Sequence, residues 1–371
     1  MLIYLVCFAS SAFFAFLAQK AKNKFLFVFL SIVSILITTI LAGLRDVSIG
    51  IDTKNYYYGS WLRAMNSTSL SDFFRRYFLF SNDRTEVLSI LLIGVTARLT
   101  GDFQMFLFLE HLIIISCLYI GAFRLQKHAD PVFVLLCFYF LYYNHSLNIT
   151  RQYISMAILF AAFADLEKRK YLRYLIFTLV AFLFHNTGIL GLLPFIVYRV
   201  LYPSKWMKNV SLIRKMLVIS AILSVFVLFV PAVRLLVEWG FLSRYYLVYL
   251  SDEEHAIPKI VILLLVAEAA MIFFFRRGFI RSDEKGDFYV FSSVAFLVLY
   301  QLALTISYGK RIASYFSMSN IITMGGIYKN QRLPFNKRFL HILILTAVVV
   351  YWLFFYVYKN SSQTIPYVLG I

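Results

Sequence analysis

Charged residues are scarce in this chain, and acidic residues are the scarcest. Only 15% of the 371 residues are charged, and only 18 residues are Asp or Glu. By contrast, 61% of the residues are hydrophobic and the mean hydropathy is +0.77. A soluble domain needs about 25% charged residues to cover itself with polar surface. This composition therefore excludes a soluble globular protein and indicates that a lipid bilayer is the solvent.

Cysteines and nucleotide-binding or hydrolase motifs are also few. The three cysteines, Cys7, Cys117 and Cys137, lie in apolar stretches without paired or CxxC spacing, so they predict neither a disulfide framework nor a metal site. No Walker motif, HExxH, GxSxG or GxGxxG stands in a supporting context. We expect no cofactor and no metal ligands, although a divalent metal assisting the chemistry stays open.

Basic residues are the charged residues that the chain does have, 36 Lys and Arg against 18 acids, which gives a net charge of +18. Such a charge could bind nucleic acid. In a membrane protein, however, basic residues gather in cytoplasmic loops and set the topology. We favour the second explanation and expect no nucleic-acid partner.

Thirteen apolar segments follow one another along the chain. Each is interpreted as a helix, because the sequence lacks the alternating ten-residue pattern of a membrane barrel. The first segment has no basic n-region, so we expect it to remain as a span rather than be cleaved. The segments are Met1–Ala18, Phe25–Ala42, Glu86–Leu99, Phe103–Phe123, Val132–Tyr143, Tyr153–Ala164, Tyr171–Phe184, Gly188–Val200, Met216–Val230, Ile260–Phe275, Phe288–Ser307, Ile312–Ile327 and Phe339–Tyr358.

Six basic clusters fix the expected orientation. If all six face the cytoplasm, the segments between the Lys20 and Lys127 clusters cannot all cross, because three spans would separate them. Glu86–Leu99 is short and opens with an acid, so we interpret it as a half-embedded helix. The prediction is an all-α polytopic membrane protein with twelve crossings, one membrane domain over residues 1–371, and outer loops 44–85 and 231–259.

The first outer loop carries both charge signs at the end of a span. Arg45, Asp46 and Asp52 follow Gly43, and an arginine at a membrane edge can grip a phosphate while a carboxylate serves as a general base. Charged residues also commonly end a span, and Tyr56–Tyr58 resembles an interfacial aromatic belt. Taken alone, the loop favours the second explanation.

Arg151 and His185 lie at depths where ionisable groups are costly. Counted at 1.5 Å per residue from the basic cluster that begins at Lys168, Arg151 lies about 25 Å and His185 about 22 Å above the cytoplasmic edge. Ionisable groups at membrane depth usually line a functional cavity. His185 could instead form a structural bond between helices.

Three further features stand out. Lys310 and Arg311 place two cations at an outer helix end, against the positive-inside rule, and could join Arg45 and Arg151 in an anion site. Glu110 and Glu268 lie inside apolar stretches, as a proton relay or a structural pair would. The loop Trp239–Pro258 mixes aromatic and acidic residues, as sugar-binding surfaces or interfacial helices do.

Taken in order, these motifs resemble the EpsG-type, or Wzy-like, polymerases of bacterial surface polysaccharides. The resemblance runs from Gly43 to Phe316, and each motif by itself is short. Its elements are Gly43-Leu-Arg45, Gly50-Ile-Asp52, Tyr56, Arg151-Gln152, Ala181-Phe-Leu-Phe-His185 and Arg311 with Tyr315-Phe316.

The resemblance implies a fold like that of the C-type glycosyltransferases and a glycosyl transfer. The substrate would be an oligosaccharide repeat unit on undecaprenyl diphosphate, at the outer face of the bacterial cytoplasmic membrane, for O-antigen, capsule or exopolysaccharide. Membrane lipid, a chain-length regulator and a flippase would be its partners.

The resemblance also implies residue roles. Asp52 would be the base, with Asp46 or Glu86 as alternatives, and His185 would orient substrate or donate a proton. The implied substrate-binding residues are Arg45, Arg151, Gln152, Lys310, Arg311, Tyr56 and Tyr315. A flippase or transporter of lipid-linked sugars, or a glycan ligase, is the alternative function.

Overall fold

The computed structural model describes residues 1–80, 86–202, 231–242, 259–282, 285–300, 309–329 and 337–370. Within these ranges the chain is helical and has no β-strand, only an isolated antiparallel bridge between Arg45 and Leu369. The all-α prediction is confirmed for this part of the chain. The predicted segment Met216–Val230 lies outside the described residues.

The α-helices follow one another with short connections. Single stretches of π-helix occupy Thr53–Tyr57, Tyr139–Tyr143 and Leu353–Tyr358, and a 3₁₀-helix occupies Asn186–Gly191. The α-helices are α1 (Leu2–Lys20), α2 (Lys24–Gly43), α3 (Tyr58–Met65), α4 (Leu70–Phe80), α5 (Val87–Thr100), α6 (Phe103–Arg124), α7 (Pro131–Phe138), α8 (Asn144–Ser146), α9 (Thr150–Glu167), α10 (Tyr171–Phe184), α11 (Leu192–Leu201), α12 (Lys259–Ser282), α13 (Gly286–Tyr300), α14 (Gly309–Lys329) and α15 (Lys337–Trp352).

Among the described residues, four helices are long and apolar enough to cross a membrane: Leu2–Lys20, Lys24–Gly43, Phe103–Arg124 and Phe339–Tyr358. Shorter apolar helices include α5, α10 and α13. At 1.5 Å per residue, the 14 residues of α5 extend about 21 Å, less than the hydrocarbon core of about 30 Å. That length suits a half-embedded helix, and the count of twelve crossings stays a prediction.

Side-chain caps explain where several helices begin. The Asn23 side chain accepts the N–H of Phe25 at 2.7 Å, and Asp102 accepts that of Gln104 at 2.9 Å. Asp130 caps α7, where Pro131 occupies the first helical position and needs no N–H partner. These caps satisfy N–H groups that a bilayer could not solvate.

The predicted first outer loop, residues 44–85, contains two helices, α3 and α4. Ser69 accepts the N–H of Asp72 at 3.0 Å while Asp72 accepts that of Thr68, an arrangement close to a capping box. The two helices pack their apolar faces on α5 and α6. The shared core consists of Tyr57, Trp61, Ala64, Phe73, Tyr77, Ile90, Ile93, Ala97, Phe103, Phe106 and Leu107.

The described chain forms two compact units, Met1–Ile189 with Met324–Ile371, and Leu190–Thr323. In the first unit, α2 packs on α1 and α6, and α9 packs on α6 and α10. Ser11 and Ser34 each donate to the other's carbonyl at 2.8 Å and so join α1 to α2. Small polar residues of this kind let membrane helices approach closely.

The second unit contains α11, α12 and α13, with α13 packed against both of the others. The half-buried carboxylate of Glu268 accepts a hydrogen bond from the amide of Asn320. This is a contact of the kind that the structural-pair alternative predicts. Most of the predicted loop Trp239–Pro258 lies outside the described residues, and Trp239 itself is exposed.

Candidate functional site

Three ionisable side chains from distant parts of the sequence meet in the first unit. The Glu86 carboxylate accepts from Nη1 of Arg151 at 2.7 Å through one oxygen and contacts Nδ1 of His185 at 2.7 Å through the other. The backbone N–H of Asn186 donates to Glu86 at 3.0 Å. We call Glu86, Arg151 and His185 the central cluster.

Helix ends deliver all three residues. Glu86 precedes α5, Arg151 is the second residue of α9, and His185 follows the last residue of α10. Ser89 on α5 donates to the carbonyl of Phe184 at 2.9 Å, which ties the start of α5 to the end of α10. The cluster therefore lies where the ends of helices leave backbone N–H and C=O groups without partners inside the helix.

Tyr57 completes the cluster from the first outer loop. Its hydroxyl accepts the backbone N–H of Arg151 at 3.2 Å, and its ring centroid lies 5.7 Å from the Arg151 guanidinium carbon. Tyr57 is buried, and burial raises the pKa of its hydroxyl. It therefore stays neutral and supplies both a hydrogen bond and an aromatic face to the arginine.

The charge of Glu86 is fixed by its partners. Burial by itself would raise the pKa of Glu86, but the hydrogen bond from His185 and the charge of Arg151 outweigh burial and lower the pKa to about 2. Its side chain is only 5% exposed, whereas those of Arg151 and His185 are 22% and 15% exposed. The Glu86 carboxylate is thus buried, whereas the side chains of its two partners are partly exposed.

This pKa predicts how stability depends on pH. Because the pKa of Glu86 is lowered from an ordinary value of 4.5, its stabilising effect is complete above pH 4.5 and disappears as pH falls through 2. We expect the thermal midpoint of the wild type to exceed that of Glu86→Gln by a constant margin at pH 6–8. This difference between the two thermal midpoints should decrease steadily as the pH falls from 4.5 toward 2. Thermal unfolding in detergent measures it.

The exposed pair Arg76–Asp72 provides the control for this prediction. Its side chains join at 2.7 Å, and that of Arg76 is 64% exposed, so Arg76→Gln should change the thermal midpoint little at any pH. A margin for Glu86→Gln that is independent of pH would show that the carboxylate is not held ionised by its partners.

Arg45 lies deeper than the sequence suggested. Its side chain is 0% exposed, and its Nη1 and Nη2 atoms donate to the carbonyls of Ala42 at 2.7 Å and Leu147 at 3.5 Å. Nη1 also lies 3.4 Å from Nδ1 of His111. In this structure Arg45 has no surface for a ligand, and its donors hold the first outer loop to the chain that leads into α9.

Glu110 is a buried carboxyl group on α6. It is 1% exposed and interacts electrostatically with both Arg45 and Arg151. Among the described residues, its Oε2 atom has no hydrogen-bond partner. Both alternatives for Glu110, a proton relay and a structural pair, therefore stay predictions.

The remaining carboxylates of the first outer loop are more open. Hydrogen bonds from Ser48 hold the pKa of Asp46 below its usual value. Asp52 is half-buried, its N–H donates to Asn148 at 3.0 Å, and its charge acts on Tyr57. Asp52 thus lies near the edge of the central cluster.

Gly50 fixes the turn that carries Asp52. Its φ is +90°, and a Cβ would stand 2.6 Å from the carbonyl oxygen of Leu147. Only glycine accommodates both the conformation and this approach. The Gly50-Ile-Asp52 motif therefore fastens the loop beside the start of α9.

The other predicted substrate-binding residues are divided between the two compact units. Tyr56 is exposed in the first unit, whereas Gln152 is buried on α9. Arg311 and Tyr315 belong to the second unit, where Tyr315 is buried. Lys310 is the second residue of α14, and its side chain lies outside the described residues. For all of these, a role in substrate binding stays a prediction.

Sequence reasoning missed Tyr57 and gave Glu86 only as an alternative base. Tyr57 stood in a run of three tyrosines that resembled an aromatic belt, and nothing in that run distinguished the buried ring. Glu86 had one usable signal, a carboxylate directly before an apolar helix. Within the described ranges, no group of three or more His, Cys, Asp or Glu side chains could hold a metal ion.

Comparison with known proteins gives one result that covers nearly the whole chain. The model of the EpsG family matches residues 27–369. No curated protein and no solved structure matches the chain. The family match includes the first outer loop, the central cluster, the second compact unit and most of the first, and the family is one of membrane proteins of polysaccharide biosynthesis. The chain therefore belongs to the EpsG family.

Proposed function

We propose that this chain polymerises oligosaccharide repeat units carried on undecaprenyl diphosphate, at the outer face of a bacterial cytoplasmic membrane. The observation that carries the proposal is the central cluster, in which a buried carboxylate holds an arginine and a histidine side by side. An arginine beside a proton acceptor suits the transfer of a glycosyl group away from a diphosphate. Family membership supports polysaccharide biosynthesis as the setting.

Arg151 is the proposed diphosphate ligand. A guanidinium carries five donors in a planar fork, and the Glu86 contact through Nη1 leaves donors that a phosphate can engage. The partly exposed side chain stands beside a buried tyrosine face that holds it in place. As charge develops on the leaving diphosphate, this fixed cation stabilises it.

Glu86 is poorly suited to be the base. A general base works best when its pKa lies near the working pH, and the pKa of Glu86 is about 2. Its carboxylate instead orients its partners, as the carboxylate of a catalytic triad orients a histidine. We assign Glu86 the role of a positioning residue.

His185 is the proposed proton acceptor. The Glu86 carboxylate accepts at Nδ1, so a neutral imidazole carries its proton on Nδ1 and has a free lone pair on Nε2. In the reaction, the acceptor hydroxyl attacks the anomeric carbon and gives its proton to Nε2. The bond from that carbon to the diphosphate oxygen breaks, and the diphosphate leaves with the electron pair.

Asp52 is the second candidate for the proton acceptor, because it is a half-buried carboxylate whose charge acts on Tyr57. Undecaprenyl diphosphate is already an activated leaving group, so the proposed reaction needs no nucleotide. A flippase that supplies the lipid-linked unit and a regulator of chain length are the proposed partners.

Glycan profiles of cells that lack this chain test the proposed reaction. A polymerase predicts that long polymer disappears while single repeat units still reach the cell surface. A flippase predicts instead that lipid-linked repeats accumulate in the cytoplasmic leaflet, and that result would replace polymerisation with transport. Complementation with the wild-type chain is the control.

A further inference from the structure

Residues 360–370, here the C-terminal segment, lie against the first outer loop. The N–H of Asp46 donates to Val368 at 2.9 Å, and that of Gly370 donates to Leu44 at 2.9 Å. These two bonds flank the antiparallel bridge between Arg45 and Leu369. Backbone groups of the loop that carries Arg45 and Asp46 thus find their partners in the last residues of the described chain.

A second contact reaches the turn before Asp52. The N–H of Gly50 donates to the carbonyl of Gln363 at 3.4 Å. Gly50 is the residue whose positive φ sets the direction of that turn. The C-terminal segment therefore touches the loop at both of its motif positions, at Arg45 and at Gly50.

Side chains anchor the C-terminal segment to the helices around it. The hydroxyl of Tyr367 donates to the carbonyl of Leu41 at 2.7 Å, at the end of α2. Thr364 is fully buried, and its hydroxyl accepts from Asn144 at 2.8 Å while its carbonyl accepts from Tyr4 at 2.9 Å. Elements far apart in sequence are joined here.

The C-terminal segment also has its own internal structure. The Asn360 side chain accepts the N–H groups of Thr364 and Ile365 at 3.1 and 3.2 Å, and it donates to the carbonyl of Ile365 at 2.6 Å. A preformed turn loses less conformational entropy when it packs than an unstructured tail would. The segment therefore packs against the loop in a conformation that its own hydrogen bonds stabilise.

Gly370 shows how closely the C-terminal segment approaches the first outer loop. A Cβ at this position would lie 2.9 Å from the carbonyl oxygen of Arg45 and 3.2 Å from the Cα of Asp46, both backbone atoms. Even an alanine at position 370 would therefore force the two backbones apart. The close contact depends on a residue without a side chain.

We propose that the C-terminal segment is a positioning element of the polymerisation site, which holds the first outer loop so that Asp52 keeps its place at the edge of the central cluster. This inference rests on the proposed function for its effect on turnover. The attachment itself is a separate claim about the chain. The contacts described above join the segment to the loop and to neighbouring helices, so we assign its effect on the site to the loop.

Cysteine labelling at Ile49 tests the attachment without any activity assay. Ile49 is 2% exposed and lies between the two points of contact. In a chain whose Cys7, Cys117 and Cys137 are replaced by alanine, Ile49→Cys should react slowly with a membrane-impermeant maleimide. Adding Gly370→Ala should accelerate the reaction by about tenfold, because both backbone bonds at the bridge are strained or broken.

Gly59→Ala is the matched control, because a Cβ at Gly59 meets nothing within 4 Å. Tyr367→Phe is the second variant, in case Gly370→Ala reduces the amount of folded protein, and it should accelerate labelling by about threefold. Its control is Tyr358→Phe at an exposed tyrosine. Equal labelling rates in variants and controls would overturn the attachment.

The kinetic result then decides whether the attachment positions the site. With lipid-linked repeat units as substrate, Gly370→Ala should lower kcat by about tenfold and leave KM within about twofold, because Arg151 still binds the diphosphate. Accelerated labelling with unchanged kcat would overturn the positioning role. If the wild type forms no polymer at all, the proposed function fails, while the labelling rates still decide the attachment.

Discussion

Replacing Arg151 with lysine is expected to lower the rate of polymer formation by about a hundredfold or more. Lysine keeps the positive charge, but its compact ammonium has three donors on a flexible stem. It cannot hold Glu86 and a diphosphate with the geometry of a planar guanidinium. The rate with purified lipid-linked repeat units measures the effect, and the abundance of the variant in the membrane must be compared with that of the wild type.

Arg76→Lys is the matched control for this change. Arg76 also pairs with a carboxylate, Asp72 at 2.7 Å, but its side chain is exposed on α4. Exposed pairs of this kind contribute little, so the control should retain nearly all activity. An Arg151→Lys variant with more than half of the wild-type rate would show that a simple charge suffices and that no bidentate contact forms.

Replacing His185 with glutamine is expected to lower kcat by about 10² to 10⁴, the usual contribution of a general base. Glutamine can still donate a hydrogen bond to Glu86, so the central cluster should survive, but it has no basic nitrogen to accept a proton. Binding of the lipid-linked substrate should change much less than kcat. Single-turnover rates at saturating substrate measure this difference directly.

Two variants make the result specific. His341→Gln is the matched control, because His341 contacts the carbonyl of Tyr328 and stacks on its ring, outside the central cluster. Asp52→Asn tests the other candidate base and should lose less activity than His185→Gln. If Asp52→Asn abolished turnover while His185→Gln left it intact, the proton acceptor would be Asp52.

The sequence pointed to Arg151 and His185 because both were predicted to lie at membrane depth. An ionisable group there must be paired or solvated, so counting residues from the nearest basic cluster was enough to select them. Their partner was harder to find. Glu86 lies 65 residues from Arg151 and 99 residues from His185, and periodicity carries no information about which helix ends meet.

Arg45 is a residue whose contacts the sequence did not predict. The family resemblance implied that Arg45 binds phosphate, whereas its position by itself favoured a charge that ends a span. In the structure its donors reach the carbonyls of Ala42 and Leu147. An arginine at a membrane edge can satisfy open backbone carbonyls as readily as it can bind an anion. Sequence cannot decide between these partners, because the Leu147 carbonyl reaches Arg45 only through tertiary packing.

The first outer loop shows a local signal that was available but unused. The sequence Ser69-Leu-Ser-Asp72 has the spacing of a capping box and could have predicted the start of α4. The helices of the loop bury Trp61 and Phe73 against α5 and α6. Long outer loops in such a protein are therefore better interpreted as small packed elements than as unstructured connections.

The most direct test of the central claim is polymer formation by the purified chain in liposomes, with lipid-linked repeat units from the producing cells as the only substrate. The account predicts a ladder of longer glycans and release of undecaprenyl diphosphate without added nucleotide, and loss of both in the His185→Gln variant. Movement of intact lipid-linked repeats across the liposome membrane, with no ladder and no released diphosphate, would contradict it.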